Sequence, residues 1–296
     1  MKQNKHPMIS ESELILNTDG SIFHLHLKPG QVADTIILVG DPKRVDIIES
    51  LMESVELKVY NREYVSMTGS YNGLRMTVVS TGVGIGNIDI VMNELDALVN
   101  INFENRTVKK IRRKLDFIRI GTSGSLQADI PVNSYVISEK SVGFDNLLYF
   151  YKDSPSVLNE KFSRLMRMLV KEHSIYLNPY VIDASKELVQ KLKSEGIHTG
   201  ITITSPGFYV PQGRELRLAG TLENINDQLS SFEYDGFRIT NYEMESSALY
   251  GLAKMLDHNA IAICLIIANR LNKNANQNYR GHVKELVRHV LDQITG

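Results

Sequence analysis

From Asp34 onward, short apolar runs alternate with segments whose apolar residues recur at helical spacing, and this alternation narrows the fold more than any other feature. "DTIILVGDP" reads as a buried strand entering a turn, and "KRVDIIESLMESV" follows with its apolar residues on one helical face. "REYVSMTGSY" and "LRMTVVSTGVGIG" are further strand candidates, the second leading into the amphipathic "NIDIVMNELDALV". Later come "LDFIRI", "SYVISE", "HTGITIT", "FRITNYEM" and "AIAICLIIANR" as strands. Residues 157–172, "ASKELVQKLKSEG", "ESSALYGLAKML" and "HVKELVRHVLDQI" are the helices among them. Such alternation predicts an α/β fold: a single domain of three layers, with helices on both faces of a central mixed sheet.

No linker divides the chain, whose 296 residues suffice for one large core. Residues 1–34 read as an extended arm in which the alternation of "SIFHLHL" predicts a short strand. Residues 99–114, polar and basic, interrupt the pattern and read as a surface insertion whose charges form a solvated face. Lys and Arg (33) nearly balance Asp and Glu (34), which argues against a general surface for nucleic acid or membrane. No run approaches the roughly 20 apolar residues of a membrane span, and no secretory signal opens the sequence. The single cysteine, Cys264, cannot form an intrachain disulfide, so a reducing, cytoplasmic setting is expected.

Ligands of open α/β sheets bind outside the carboxyl ends of the strands, and the unusual residues of this chain gather in those loops. Arg119 interrupts an apolar strand just before "GTSGS". A buried unpaired charge costs several kcal/mol, so either an internal carboxylate pairs with Arg119 or the site holds an anion. Arg44, after the "GDP" turn with Gly40, and Thr122 supply further donors, and together the three favour a tetrahedral anion such as phosphate. "STGVGIGN" lacks the dinucleotide spacing, and "GDPKR" lacks the spacing of a P-loop. In "SPGFYVPQGREL", Phe208 could face a flat ring whose carbonyl and imide edges Gln212 and Arg214 could read; a plain surface loop is the alternative. Glu243 and Glu245 of "NYEMES" could accept from a diol or mark the first turn of a helix. Arg270, at the end of another apolar strand, repeats the question raised by Arg119. No nucleophile elbow is present and Cys264 lies deep in an apolar run, so covalent catalysis is disfavoured.

"FHL", "GDPKRV", "REY", "STGVGIGN", "RIGTSGS", "FYVPQGR", "NYEMES" and "ANR" occur in an order that resembles the nucleoside phosphorylase I family, from about residue 22 to the carboxyl end. The resemblance implies an arm over 1–21 and a nucleoside phosphorylase domain over 22–296. It also implies a pentosyltransferase that reversibly converts uridine and phosphate to uracil and ribose 1-phosphate, for nucleoside salvage. A purine nucleoside phosphorylase or a nucleosidase of the same superfamily is the alternative. Carried over by position, Gly40, Arg44, Arg119 and Thr122 bind phosphate, with Arg62 reaching the phosphate of a neighbouring subunit. His24 crosses to a neighbour's ribose, Met244 and Glu245 hold the ribose, and Phe208, Gln212 and Arg214 form the uracil pocket. Arg270 stands near the base, and with Arg119, Gln212 and Arg214 makes up the expected catalytic set. Inorganic phosphate is the co-substrate, no organic cofactor is implied, and a structural potassium ion at Glu63 is the one metal the family suggests. The expected assembly is a hexamer built from dimers with shared sites.

Overall fold

The structure, a computed structural model, describes residues 8–171, 177–222 and 224–296. The first seven residues of the predicted arm, and residue 172 at the end of a predicted helix, lie outside the described residues.

The first half runs β1 (Thr35–Val39), α1 (Lys43–Glu49), β2 (Ser54–Asn61), β3 (Tyr64–Tyr71), β4 (Leu74–Ser80), α2 (Ile85–Asn100), the short pair β5 (Ile101–Asn102) and β6 (Thr107–Val108), and β7 (Asp116–Ser125). The second half runs β8 (Tyr135–Gly143), α3 (Glu160–Val170), β9 (Tyr180–Asp183), α4 (Lys186–Leu192), β10 (Ile197–Thr204), α5 (Ile225–Ser231) and β11 (Glu233–Tyr234). It closes with β12 (Phe237–Glu243), α6 (Ser246–Met255), β13 (Asn259–Asn269), β14 (Asn274–Ala275) and α7 (Arg280–Thr295). The sheet order β11-β12-β10-β8-β13-β7-β1-β4-β3-β2 mixes parallel and antiparallel neighbours.

Strand periodicity creates the layers. In β1, Ile36 and Leu38 pack with α2 and α6, whereas Ile37 and Val39 pack with α1 and α7. β13 sends Ala260 and Ala262 to the first face and Ile261, Ile263 and Leu265 to the second. A third cluster joins α3 and α5 to β10 and β12. One further pairing shapes the site: the end of β12 lies antiparallel to the end of β7, Asn241 opposite Ser125 and Tyr242 opposite Gly124. Because β12 also pairs β10, the strands β7, β13, β8, β10 and β12 close into a ring.

Several local expectations are corrected. "SIFHLHL" is a turn rather than a strand: Glu94 of α2 accepts from the backbone amides of His24 and Leu25, and His26 has a positive φ of 54°. Those amides therefore cannot enter a ladder. The arm nonetheless buries Leu14, Ile22, Leu25 and Leu27 in the core shared with α2. The "KRVDIIESLMESV" helix stops at Glu49, and its tail starts β2. β7 does not end before the glycines and hydroxyls; it continues through "GTSGS", because β13 and then β12 supply ladder partners on both sides.

The 99–114 segment begins two residues late as an insertion, since Val99 and Asn100 are buried in α2. Lys110, Arg112 and Lys114 are exposed as expected, whereas Arg106, Lys109 and Arg113 are partly buried and bonded. Arg106 donates to the carbonyls of Ile9, Ser10 and Leu14, Lys109 to Val99 at the end of α2, and Arg113 to Asp34 and Val32. These three fasten the arm and the hairpin to the domain.

Candidate active site

Beyond the carboxyl ends of β1, β4, β7, β10, β12 and β13 lies one cleft of about 790 Å³, a size suited to a small organic ligand. Gly40, Arg44, Arg119 and Thr122 are among the residues that line it, as are Phe208, Gln212, Arg214, Met244 and Glu245.

The two questions posed by buried arginines have different answers. Arg119, 4% exposed, is ion-paired with Glu245 through Nη2, and Glu243 Oε2 lies 3.7 Å from its Nη1. Burial works against its charge, but Glu245 and then Glu243 more than offset this, so the guanidinium holds its proton more tightly than usual. Its place in the strand depends on Gly121: an added Cβ there would stand 2.1 Å from Arg119 Nη1 and 2.9 Å from the Cys264 sulfur. Cys264 is fully buried and its thiol is pushed up to about 12, mainly by burial, which agrees with its exclusion as a nucleophile.

Arg44 is different. Buried at the start of α1, it has no carboxylate within ion-pair distance among the described residues, and its Nη2 reaches the Thr122 hydroxyl at 3.4 Å. Burial, then repulsion from Arg119, lowers its pKa. Arg119 is paired with Glu245 and Glu243, whereas Arg44, with Thr122 beside it in the same cleft, has no carboxylate of its own among the described residues, and a buried cation so placed attracts an anion.

The two glutamates divide their work. Glu243 accepts from the Thr204 hydroxyl at 2.6 Å, the Ser246 hydroxyl at 2.8 Å, and the backbone amides of Glu245 and Ser246 at 2.9 Å each. It is the last residue of β12, and its carboxylate ties that strand to the amide that opens α6; the first turn of α6 carries no acidic residue, so the expectation of a first-turn glutamate is corrected. Glu245 accepts from the Gly84 amide at 2.7 Å and the Met244 amide at 3.2 Å as well as from Arg119. Burial, with Glu243 nearby, raises its carboxyl above the usual range, and Arg119 opposes that rise.

A short helical turn over Val210–Gln212 follows β10. Gln212 is 2% exposed, and the Arg214 guanidinium donates to its side-chain oxygen while lying 3.9 Å over the Phe208 ring. Burial, and then Arg270, push Arg214 down to about 10, which leaves it cationic at neutral pH. Arg270 does not line the cleft; its Nη2 donates to the Gln212 carbonyl from behind.

His24 and Arg62 also stand outside the cleft of their own chain. They share a surface patch: His24 Nδ1 is 2.7 Å from Glu94, Asn61 donates to the His24 carbonyl at 2.7 Å, and Arg62 lies 5.2 Å over Phe23. Near Glu63 the Asn87 amide fills the space beside Gly82, its oxygen accepts from the Tyr64 hydroxyl, and the Glu63 carbonyl accepts from Ser80.

Sequence reasoning missed Tyr242, Ser123, Asn276, Gln277 and Tyr279, all of which line the cleft. The asparagine-rich "NKNANQN" after β13 marked a loop at a strand's carboxyl end and was the signal available.

Comparison with known proteins places this geometry in a family. A uridine phosphorylase from Thermococcus kodakarensis is 28% identical over 261 residues, covering 86% of this chain and 79% of the relative. A DeoD-type purine nucleoside phosphorylase from Listeria monocytogenes is 29% identical over 245 residues, covering 82% and 85%. A solved Trypanosoma brucei nucleoside phosphorylase, described as showing uridine phosphorylase activity, superposes with a TM-score of 0.85 at 28% identity and covers 95% of this chain and 98% of its own. Since the model of the phosphorylase superfamily matches residues 34–294, spanning every strand of the sheet and every loop of the cleft, the chain belongs to that superfamily.

Proposed function

We propose that this chain catalyses reversible phosphorolysis of uridine, giving uracil and ribose 1-phosphate. One observation carries the reading: Arg44, buried without a carboxylate partner among the described residues, stands with Thr122 in the cleft that Gln212 and Arg214 also line. One cleft thus brings together a group suited to an anion and a pair suited to polar ring edges.

As the glycosidic bond lengthens, positive charge develops on the ribose and negative charge on the leaving uracil. Phosphate held by Arg44, Arg119, Thr122 and the Gly40 turn opposes the first and attacks C1′. Gln212 and Arg214 stabilise the second through the carbonyl and imide edge, with Phe208 against the ring. Met244 packs on the sugar and Glu245 accepts from a ribose hydroxyl. Arg119, bonded to Glu245, joins the phosphate end of the cleft to the ribose end. Catalysis by this set is positioning and electrostatic preorganisation.

Relatives in the family act on uridine or on purine nucleosides. Asn269 favours uridine. Purine-specific members carry an aspartate in this region to protonate the ring, whereas the Asn269 amide is 2% exposed and spent on structure. Its nitrogen donates to the Gln127 and Ile130 carbonyls, and its oxygen accepts from the Leu271 and Asn272 amides. His24 and Arg62, paired on a surface away from their own cleft, are suited to complete the site of a second copy, within a hexamer built from dimers. The lone buried cysteine goes with a cytoplasmic setting.

A substrate panel tests the reading. Uridine should be cleaved only when phosphate is present, and inosine should be a poor substrate; uracil release without phosphate would make the enzyme a hydrolase instead. Gln212→Ala should erode the preference for uridine over inosine by about tenfold or more, because the base loses a partner that only its own polar edge matches. An unaltered preference would remove Gln212 from the base pocket.

A further inference from the structure

The aim of Gln212 and Arg214 depends on the backbone turn between them. Gly213, between the two base-reading residues, has a φ of 65°, a conformation that L side chains rarely adopt. An added Cβ at Gly213 would lie 2.4 Å from the side-chain nitrogen of Asn226 and 3.1 Å from its carboxamide carbon. The Asn226 amide therefore lies flat against the Gly213 backbone. Its own orientation is set from the opposite side, where the buried Tyr242 hydroxyl donates to Asn226 Oδ1 at 3.0 Å. Tyr242 is anchored in β12, opposite Gly124 of β7, on the floor of the cleft.

We infer that Asn226 is a positioning residue for base recognition: through its carboxamide, the rigid β12 strand fixes Gly213, and with it the aim of Gln212 and Arg214. Asn226 does not itself line the cleft. Ser205 secures the start of the turn through the Pro211 carbonyl at 2.8 Å, and Arg270 secures the Gln212 carbonyl. Asn226 is the support on the glycine itself, where the backbone turns back toward Arg214. It comes from α5, a helix outside every motif that marks the site.

The inference rests on the assignment of Gln212 and Arg214 to the base, and its test separates the two. Wild-type turnover on uridine and inosine, with and without phosphate, decides the assignment, and the variants are then measured on whichever nucleoside the wild type cleaves. Asn226→Ala should raise KM for that nucleoside about tenfold, leave KM for phosphate within about twofold, and narrow the preference between uridine and inosine. Asn226→Asp, which keeps the shape and the acceptor for Tyr242, should recover most of the nucleoside KM. Tyr242→Phe, lacking only the hydroxyl, should move the nucleoside KM in the same direction as Asn226→Ala. A folded Asn226→Ala enzyme with unchanged nucleoside KM and preference would overturn the inference. So would equal losses toward nucleoside and phosphate, which would mark a merely structural residue.

Discussion

Arg44→Ala is expected to lower kcat/KM for phosphate by about 10²–10³-fold, the usual loss on removing one preorganised charge donor, while thermal stability equals or exceeds that of the wild type. The combination follows from the position of Arg44. Its guanidinium is buried, repelled by Arg119 and bonded only weakly to Thr122, so the folded protein gains little from its charge. A group that costs folding energy and has no partner to stabilise has its use in what it binds. Phosphate kinetics and a thermal melt on the same preparation check both halves. A variant with wild-type phosphate kinetics would remove the anion site from the proposed function.

Arg119→Ala should abolish turnover as well, yet it should also destabilise the fold by about 3–5 kcal/mol, the range for breaking a buried ion pair from one side. Removal strands Glu245, whose remaining donors are the amides of Gly84 and Met244. Glu243 is less affected, because hydroxyls of Thr204 and Ser246 and two backbone amides already saturate it. Adding Glu245→Gln to the alanine variant should therefore restore much of the lost stability and none of the activity. Chemical denaturation of the single and double variants reads the first outcome, and a phosphorolysis assay reads the second. If the single variant unfolded at the wild-type midpoint, the ion pair would not be holding the Glu245 charge; if it turned over normally, phosphate would not depend on Arg119. The pair of experiments also distinguishes the two arginines: one serves binding alone, and the other serves binding and the core.

Much of this protein is legible in local pattern. The two-residue alternation of β1 assigns Ile36 and Leu38 to one face and Ile37 and Val39 to the other. Glycines, hydroxyls and charges cluster where strands end, and Arg44, Arg119, Thr122, Gln212 and Arg214 do meet in one cleft. Such features are readable because side-chain direction and turn chemistry are settled within a few residues of chain.

The partner of Arg119 was not readable. The sequence required either a carboxylate or an anion, and the choice of Glu245, 126 residues away, was made when β12 crossed to pair with β7 and closed the ring of strands. The same crossing set Tyr242 against Gly124 and, through Asn226, put α5 behind the base-reading turn. "SIFHLHL" failed as a strand for a related reason: a carboxylate from α2, distant in sequence, captured amides that a ladder would have used. Periodicity tells which face a residue takes, because that depends on its immediate neighbours along the chain. Which charge meets which depends on pairings between distant strands, and only the closed sheet decides those.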